Sequence, residues 1–163
     1  MRVLGVDPGL EITGYGVVEE RGRRIAVLEA GAIRTPVKSD IADRLKKIYR
    51  GIDGLIREFR PDVLALEKLY SHYKHPASVI MMGHARGVVC LLAGLHSLDL
   101  AHYPATKIKK AITGNGRATK DQMQQMVRHL LGLSSLPGPA DVADALAIAM
   151  SHFYLKRKDS LFS

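Results

Sequence analysis

The chain has 163 residues, 47% apolar and 25% charged, which suits one domain with its own core and excludes a two-domain enzyme, a disordered chain or a collagen-like one. Its formal net charge is +8, from 24 Lys and Arg against 16 Asp and Glu, and such an excess favours a polyanionic partner. The excess is local: residues 68–120 hold Lys68, Lys74, Arg86, Lys107, Lys109, Lys110, Arg117 and Lys120 against the single acid Asp99, a net of +7.

The first third reads as strands. Val3 to Val6 is a short apolar run closed by Asp7-Pro8-Gly9, a turn signal. Gly14 to Val18 reads as a second strand and Ile25 to Ile33 as a third, which together make an antiparallel meander. From Ile41 the period changes. Ile41, Leu45, Ile48, Ile52, Leu55 and Phe59 are spaced by four and three, one face of a helix that Pro61 ends. Asp62 to Leu66 is a fourth strand; a helical crossover makes it parallel to a neighbour in the same sheet.

Residues 70–77 are polar and aromatic, hence a loop, and Ser78 is placed to cap a long helix to Leu95. Leu98 to Tyr103 reads as a fifth strand, and Thr106 to Ile112 as a short helix broken by Gly114-Asn115-Gly116. Thr119-Lys120-Asp121-Gln122 matches a capping box that opens a helix to about Leu131. After a loop at Ser134 to Gly138, Pro139 suits the first turn of a last helix from Ala140 to about Tyr154, with a frayed basic tail over 156–163. The expectation is one α/β domain over residues 1–155.

Cys90 lies in the apolar run Val88 to Leu92, so an intramolecular disulfide is excluded and a buried thiol expected. The start of the chain shows no signal-peptide pattern, and the apolar stretch Val88 to Leu95 falls short of the ~20 residues of a membrane span. A cytoplasmic protein with no membrane partner is expected.

On this scaffold Asp7 ends the first strand and Glu67 the fourth, while Asp141 and Asp144 share a helix face at a spacing of three. If those strands are parallel neighbours, the first two carboxylates emerge side by side at the carboxyl ends, where α/β sheets place ligands. Carboxylates crowded together repel unless cations separate them. Hard oxygen ligands suit Mg²⁺, two per subunit with Mn²⁺ able to substitute, the device used for in-line attack on phosphodiesters. The plainer alternatives are a turn aspartate and two acids complementing a helix dipole. Glu67 speaks against them, since a carboxylate after an apolar strand is costly to bury unpaired. Tyr70 and Tyr73 interleave with Lys68 and Lys74, which joins stacking surface to phosphate-binding charge. Lys107, Lys109 and Lys110 precede the Gly-Asn-Gly break, with Arg117 and Lys120 after it, a second candidate phosphate site. His72 and His75 have zinc-pair spacing but no cysteine nearby, and contact with DNA or solvent suits them better.

Val-Leu-Gly-Val-Asp-Pro-Gly-Leu (3–10), Thr-Gly-Tyr-Gly-Val-Val (13–18), Gly-His-Ala-Arg-Gly-Val (83–88), Tyr-Pro-Ala-Thr (103–106) and Ala-Asp-Val-Ala-Asp-Ala-Leu-Ala-Ile-Ala (140–149) closely resemble the RuvC family of Holliday-junction resolvases, in order over about residues 1–155. The resemblance implies an RNase H-like fold with a five-stranded mixed sheet flanked by helices. It also implies a homodimer, Mg²⁺-dependent symmetric nicking of four-way DNA junctions in recombination and repair, and cooperation with the RuvA and RuvB branch-migration complex. It carries the catalytic and metal-binding roles to Asp7, Glu67, Asp141 and Asp144; some relatives have His where this chain has Asp141. Tyr70 matches an aromatic that stacks on a base near the cut, often Phe in the family. Lys109 and Lys120 match phosphate-binding lysines, and the helix near 78–95 matches the dimer contact. Rival readings are an actin-like ATPase, which needs a second domain, a nuclease of the same fold acting on structured RNA, and a non-catalytic junction-binding module with no use for the four carboxylates.

Overall fold

Val3, Leu4 and Val6 are fully buried, and their strand, β1 (Arg2–Asp7), lacks polar alternation because both its faces are covered. Val3 joins one core cluster, Leu4 and Val6 the other. The computed structural model describes residues 1–22, 24–69, 76–135 and 137–160. β2 (Ile12–Arg21) and β3 (Arg24–Arg34) continue the antiparallel meander, while β4 (Val63–Glu67) and β5 (Asp99–Tyr103) add to it in parallel. The sheet order is β3-β2-β1-β4-β5, the expected five-stranded mixed sheet with β1 beside β4.

Helices cover both faces. On one lie α1 (Ile41–Phe59) and α2 (Pro76–Leu95), whose Ile48, Ile52, Val89 and Leu92 pack on Leu4, Val17, Leu64 and Leu66. On the other lie α3 (Ala105–Thr113), α4 (Lys120–Leu131) and α5 (Ala140–Ser160). The predicted capping box is present: Thr119 Oγ1 accepts from Gln122 N at 3.2 Å, and Gln122 Oε1 accepts from Thr119 N at 3.0 Å. Gly114 closes α3 at φ +78, a left-handed conformation that glycine adopts without strain.

Several expectations are corrected. The last helix does not end near Tyr154: α5 continues to Ser160, with Arg157 gripping Glu20 Oε1 through Nε at 3.0 Å and a second guanidinium nitrogen at 2.7 Å, and residues 161–163 of the expected tail lie outside the described residues. α2 begins at Pro76 rather than Ser78, and Cys90 is half-buried rather than buried. The apolar stretch is also longer than the sequence suggested. Ser78–Leu95 has mean hydropathy 1.6 over 18 residues, long and apolar enough to cross a membrane, with 22% of it buried. Its glycines and its single arginine interrupt the visible run without lowering the mean much. Ala85, Val89, Leu92 and Ala93 nevertheless seat it on the sheet.

Candidate active site

Parallel pairing of β1 with β4, with Val6 opposite Leu66, brings Asp7 and Glu67 out together at the carboxyl ends of the two central strands. The other two acids arrive on α5. This helix is buried almost all round from Val142 to Met150 and lies against strand positions that carry no side chain. A β-carbon placed on Gly16 would come within 2.6 Å of Leu146 Cδ2, and one on Gly5 within 2.7 Å of the Ala149 nitrogen. Nothing larger than glycine permits that approach, and the approach carries the first turns of α5 over the end of β1.

Asp7, Glu67 and Asp144 line one cleft of about 250 Å³, together with Pro8, Arg86, Lys109 and Lys120. Asp141 is not part of its wall, yet its charge acts on both Asp7 and Lys120. The electrostatics are those of crowded anions. Burial first, then the charges of Asp144, Asp141 and Glu67, push the Asp7 carboxyl up to about 7, with Lys120 opposing. Glu67 is raised by burial and by Asp144, and lowered by Lys109, Arg86 and Lys120. Lys120 Nζ stands 2.9 Å from Asp144 Oδ2, and this bond holds its ammonium above the usual lysine range. Among the described residues no three acidic, His or Cys side chains are close enough to share one ion. Carboxylates crowded without cations repel one another, and Lys120 is the cation paired with Asp144.

The basic residues divide. Lys109 and Lys120 face the carboxylate cleft. Lys110 and Arg117 instead line a shallow hollow around Gly114, Asn115 and Gly116, and Lys107 is exposed and lines neither. The helical period explains this: Lys107 and Lys110 are three apart on one side of α3, whereas Lys109 is turned from both. Tyr70, Tyr73 and Lys74, with His72 and His75, lie outside the described residues.

A family model described as Crossover junction endodeoxyribonuclease RuvC matches residues 3–152. The chain belongs to the RuvC family. A Crossover junction endodeoxyribonuclease RuvC from Rhodopirellula baltica is 46% identical over 153 residues, covering 94% of this chain and 86% of the relative. Another, from Burkholderia thailandensis, is 48% identical over 154 residues, covering 93% and 83%. T. thermophilus RuvC, solved in complex with Holliday junction substrate, is similar in structure at a TM-score of 0.92 and 31% identity, over 98% of this chain and 96% of that one. The yeast mitochondrial Holliday junction resolvase, at 15% identity and a TM-score of 0.69 over 96% and 79% of the two chains, shares the fold. The mixed sheet and its helices are therefore the RNase H-like fold of RuvC.

Within this RuvC-type cleft, sequence reasoning left out Arg86. Its guanidinium reaches from α2 to donate to the Glu67 carbonyl at 2.7 Å and meets His102 Nδ1 at 2.7 Å. The signal was present: Arg86 is the only Lys, Arg, Asp or Glu among the twenty residues of α2. A lone charge in an apolar helix is costly unless it has partners.

Proposed function

We propose that the protein resolves four-way DNA junctions by symmetric paired nicks, hydrolysing phosphodiesters at the cleft walled by Asp7, Glu67 and Asp144. The observation that carries this reading is the meeting of those three carboxylates with Lys109 and Lys120 in one cleft. Nucleases of this family depend on divalent metal, and the side chains fit one: the donors are hard carboxylate oxygens, and burial first, then neighbouring carboxylates, raises the proton affinity of Asp7 and Glu67, a shift that a bound cation would reverse. Asp7, Glu67, Asp141 and Asp144 would hold Mg²⁺, two ions per subunit, with Mn²⁺ able to substitute. Bound there, the ions supply an activated water and neutralise charge on the leaving 3′ oxygen.

The chain's own residues do the rest. Arg86 fixes the main chain at Glu67, so that carboxylate enters the cleft from a rigid strand end. Lys109 places an ammonium where a phosphate oxygen would lie, and Lys120 exchanges Asp144 for phosphate as the site fills. Lys107, Lys110 and Arg117 hold phosphates farther along the duplex, and Tyr70, Tyr73 and Lys74 engage the strand near the cut, with Tyr70 stacking on a base.

Paired nicks need two clefts. The outer side of α2 offers Ile80, Leu91 and Leu95, each more than half exposed, and a second copy docked there forms a homodimer whose two-fold axis suits the symmetry of a junction. Cooperation with RuvA and RuvB, and a cytoplasmic location, belong to the same proposal. Mg²⁺-dependent cleavage of a mobile four-way junction, compared with linear duplex and structured RNA, tests it. Strong preference for the junction, abolished by Asp7→Asn, is expected; equal nicking of plain duplex, or activity surviving that substitution, refutes it.

A further inference from the structure

The turn between Asp7 and β2 is held from behind by a buried relay. Thr13 Oγ1 donates to the Gly9 carbonyl at 2.7 Å, Thr35 Oγ1 donates to the Leu10 carbonyl, and Thr35 N donates to the Glu11 carbonyl at 2.9 Å. Three successive carbonyls of the turn are thus fixed by two threonines, one of them on the connection between β3 and α1. The Thr35 hydroxyl in turn accepts from Arg44 Nε at 2.9 Å. Thr13, Thr35 and Arg44 are 0%, 4% and 6% exposed.

Arg44 is the anomaly. It is a buried cation, and among the described residues no carboxylate lies within ion-pair distance of it. It also sits in the opening turn of α1, where the helix dipole disfavours positive charge. Burying a charge there costs stability, and a local conflict of this kind is expected where position rather than stability is served. Neither Thr35 nor Arg44 lines the cleft, and the hydrogen-bonded route from them to it runs through the backbone of Pro8 to Glu11.

We infer that Thr35 and Arg44 are positioning residues for the nuclease site: through the Leu10 and Glu11 carbonyls they fix the turn that aims the Asp7 carboxylate into the cleft it lines with Glu67 and Asp144. The inference rests on the reading of Asp7 proposed above. Its chemistry is that of a hydrogen-bond relay with one donor cation, one bridging hydroxyl and the Leu10 carbonyl, beside the Thr35 N–H on the Glu11 carbonyl. A misplacement of about 1 Å at a reacting group is enough to cost roughly 100-fold in rate.

The test uses the full chain carrying Thr35→Val, Thr35→Ser, Arg44→Met or the Val/Met pair together. It reads single-turnover junction cleavage, junction affinity, the affinity for Mn²⁺ alone by calorimetry without DNA, and the thermal midpoint. Thr35→Val is expected to slow cleavage by roughly 10- to 100-fold and to weaken Mn²⁺ binding, with junction affinity unchanged. Thr35→Ser, which keeps the hydroxyl, restores both. Arg44→Met acts in the same direction, and the double variant is no slower than Thr35→Val, as expected of one relay. Folded Thr35→Val or Arg44→Met with wild-type Mn²⁺ affinity and rate overturns the inference. So does a rate loss that vanishes when the assay is cooled in proportion to the fall in midpoint. If Thr35→Val does not fold, Arg44→Met against Thr35→Ser decides by the same readouts. Failure of the wild type itself to cut junctions defeats the functional proposal instead, and the Mn²⁺ affinities still report on the relay.

Discussion

Replacing Asp7 with Asn is expected to stabilise the metal-free protein, and to do so only where Asp7 would be ionised. Its carboxyl rises from 3.8 to about 7 on folding, through burial first and then Asp144, Asp141 and Glu67. A folded group with raised proton affinity costs nothing while protonated in both states. The cost starts as pH climbs past the unfolded value near 4, grows as the unfolded chain loses its proton first, and is complete above about 7. At roughly 1.4 kcal/mol per tenfold change in proton affinity, the upper bound is about 4 kcal/mol. Relaxation and water in the cleft leave about half of that, or ~4 to 8 °C in midpoint for a chain of this length. The assay is thermal unfolding of wild type and Asp7→Asn in chelator, stepped from about pH 4 to about pH 8. The two curves should converge at the acid end and separate towards neutrality, with the variant the more stable. Mg²⁺ added at the alkaline end should raise the wild type and leave the variant nearly unmoved. A variant no more stable than wild type near pH 8 in chelator, or a gap of constant size across the whole range, would refute the reasoning.

Other consequences can be measured independently. Arg86→Met keeps the reach of the side chain but removes one bond to the Glu67 carbonyl at the end of β4 and one to His102 on β5; loss of charged hydrogen bonds of this kind costs ~1.5 to 3 kcal/mol, and single-turnover cleavage is expected to fall at least ~10-fold. A wild-type rate with Met at 86 would deny that Glu67 needs this support. Lys120→Ala removes one phosphate partner, so the slope of log affinity for the junction against log salt should shrink by about 1; an unchanged slope would leave Lys120 bound to Asp144 in the complex. Leu91→Asp places a charge on the exposed side of α2 and is expected to yield monomers in sedimentation and to uncouple the paired nicks. Persistence of a dimer would move the interface elsewhere.

The parts of the fold governed by near neighbours were legible in the sequence. The alternating spacing from Ile41 to Phe59 predicted α1, the Thr119–Gln122 box opened α4 where expected, and the crossover rule made β4 parallel to a neighbour, which is β1. That adjacency was enough to bring Asp7 and Glu67 together. The missed features depend on partners distant in the chain. α5 runs on to Ser160 because Arg157 meets Glu20 on β2, and the relay from Arg44 through Thr35 to Leu10 joins three segments that no periodicity links. The basic residues of α3 read as one cluster along the chain, and the helix turns them to different places.

The bare strand positions Gly5 and Gly16 under α5 divide the molecule into parts with different freedom to change. Where helix and sheet touch with no intervening side chain, a substitution has nowhere to go, so the spacing between the end of β1 and the first turns of α5 is locked by missing atoms rather than by adjustable ones. Lys107 and Lys110 of α3 and the hollow at the Gly-Asn-Gly break face solvent and carry no such restriction. If the proposed roles hold, variation in which nucleic-acid shapes are gripped can accumulate on that outer surface while the distance between the cleft carboxylates stays the same. A laboratory effort to retarget the protein would therefore start at Lys107, Lys110 and residues 114–117 and leave Gly5 and Gly16 untouched.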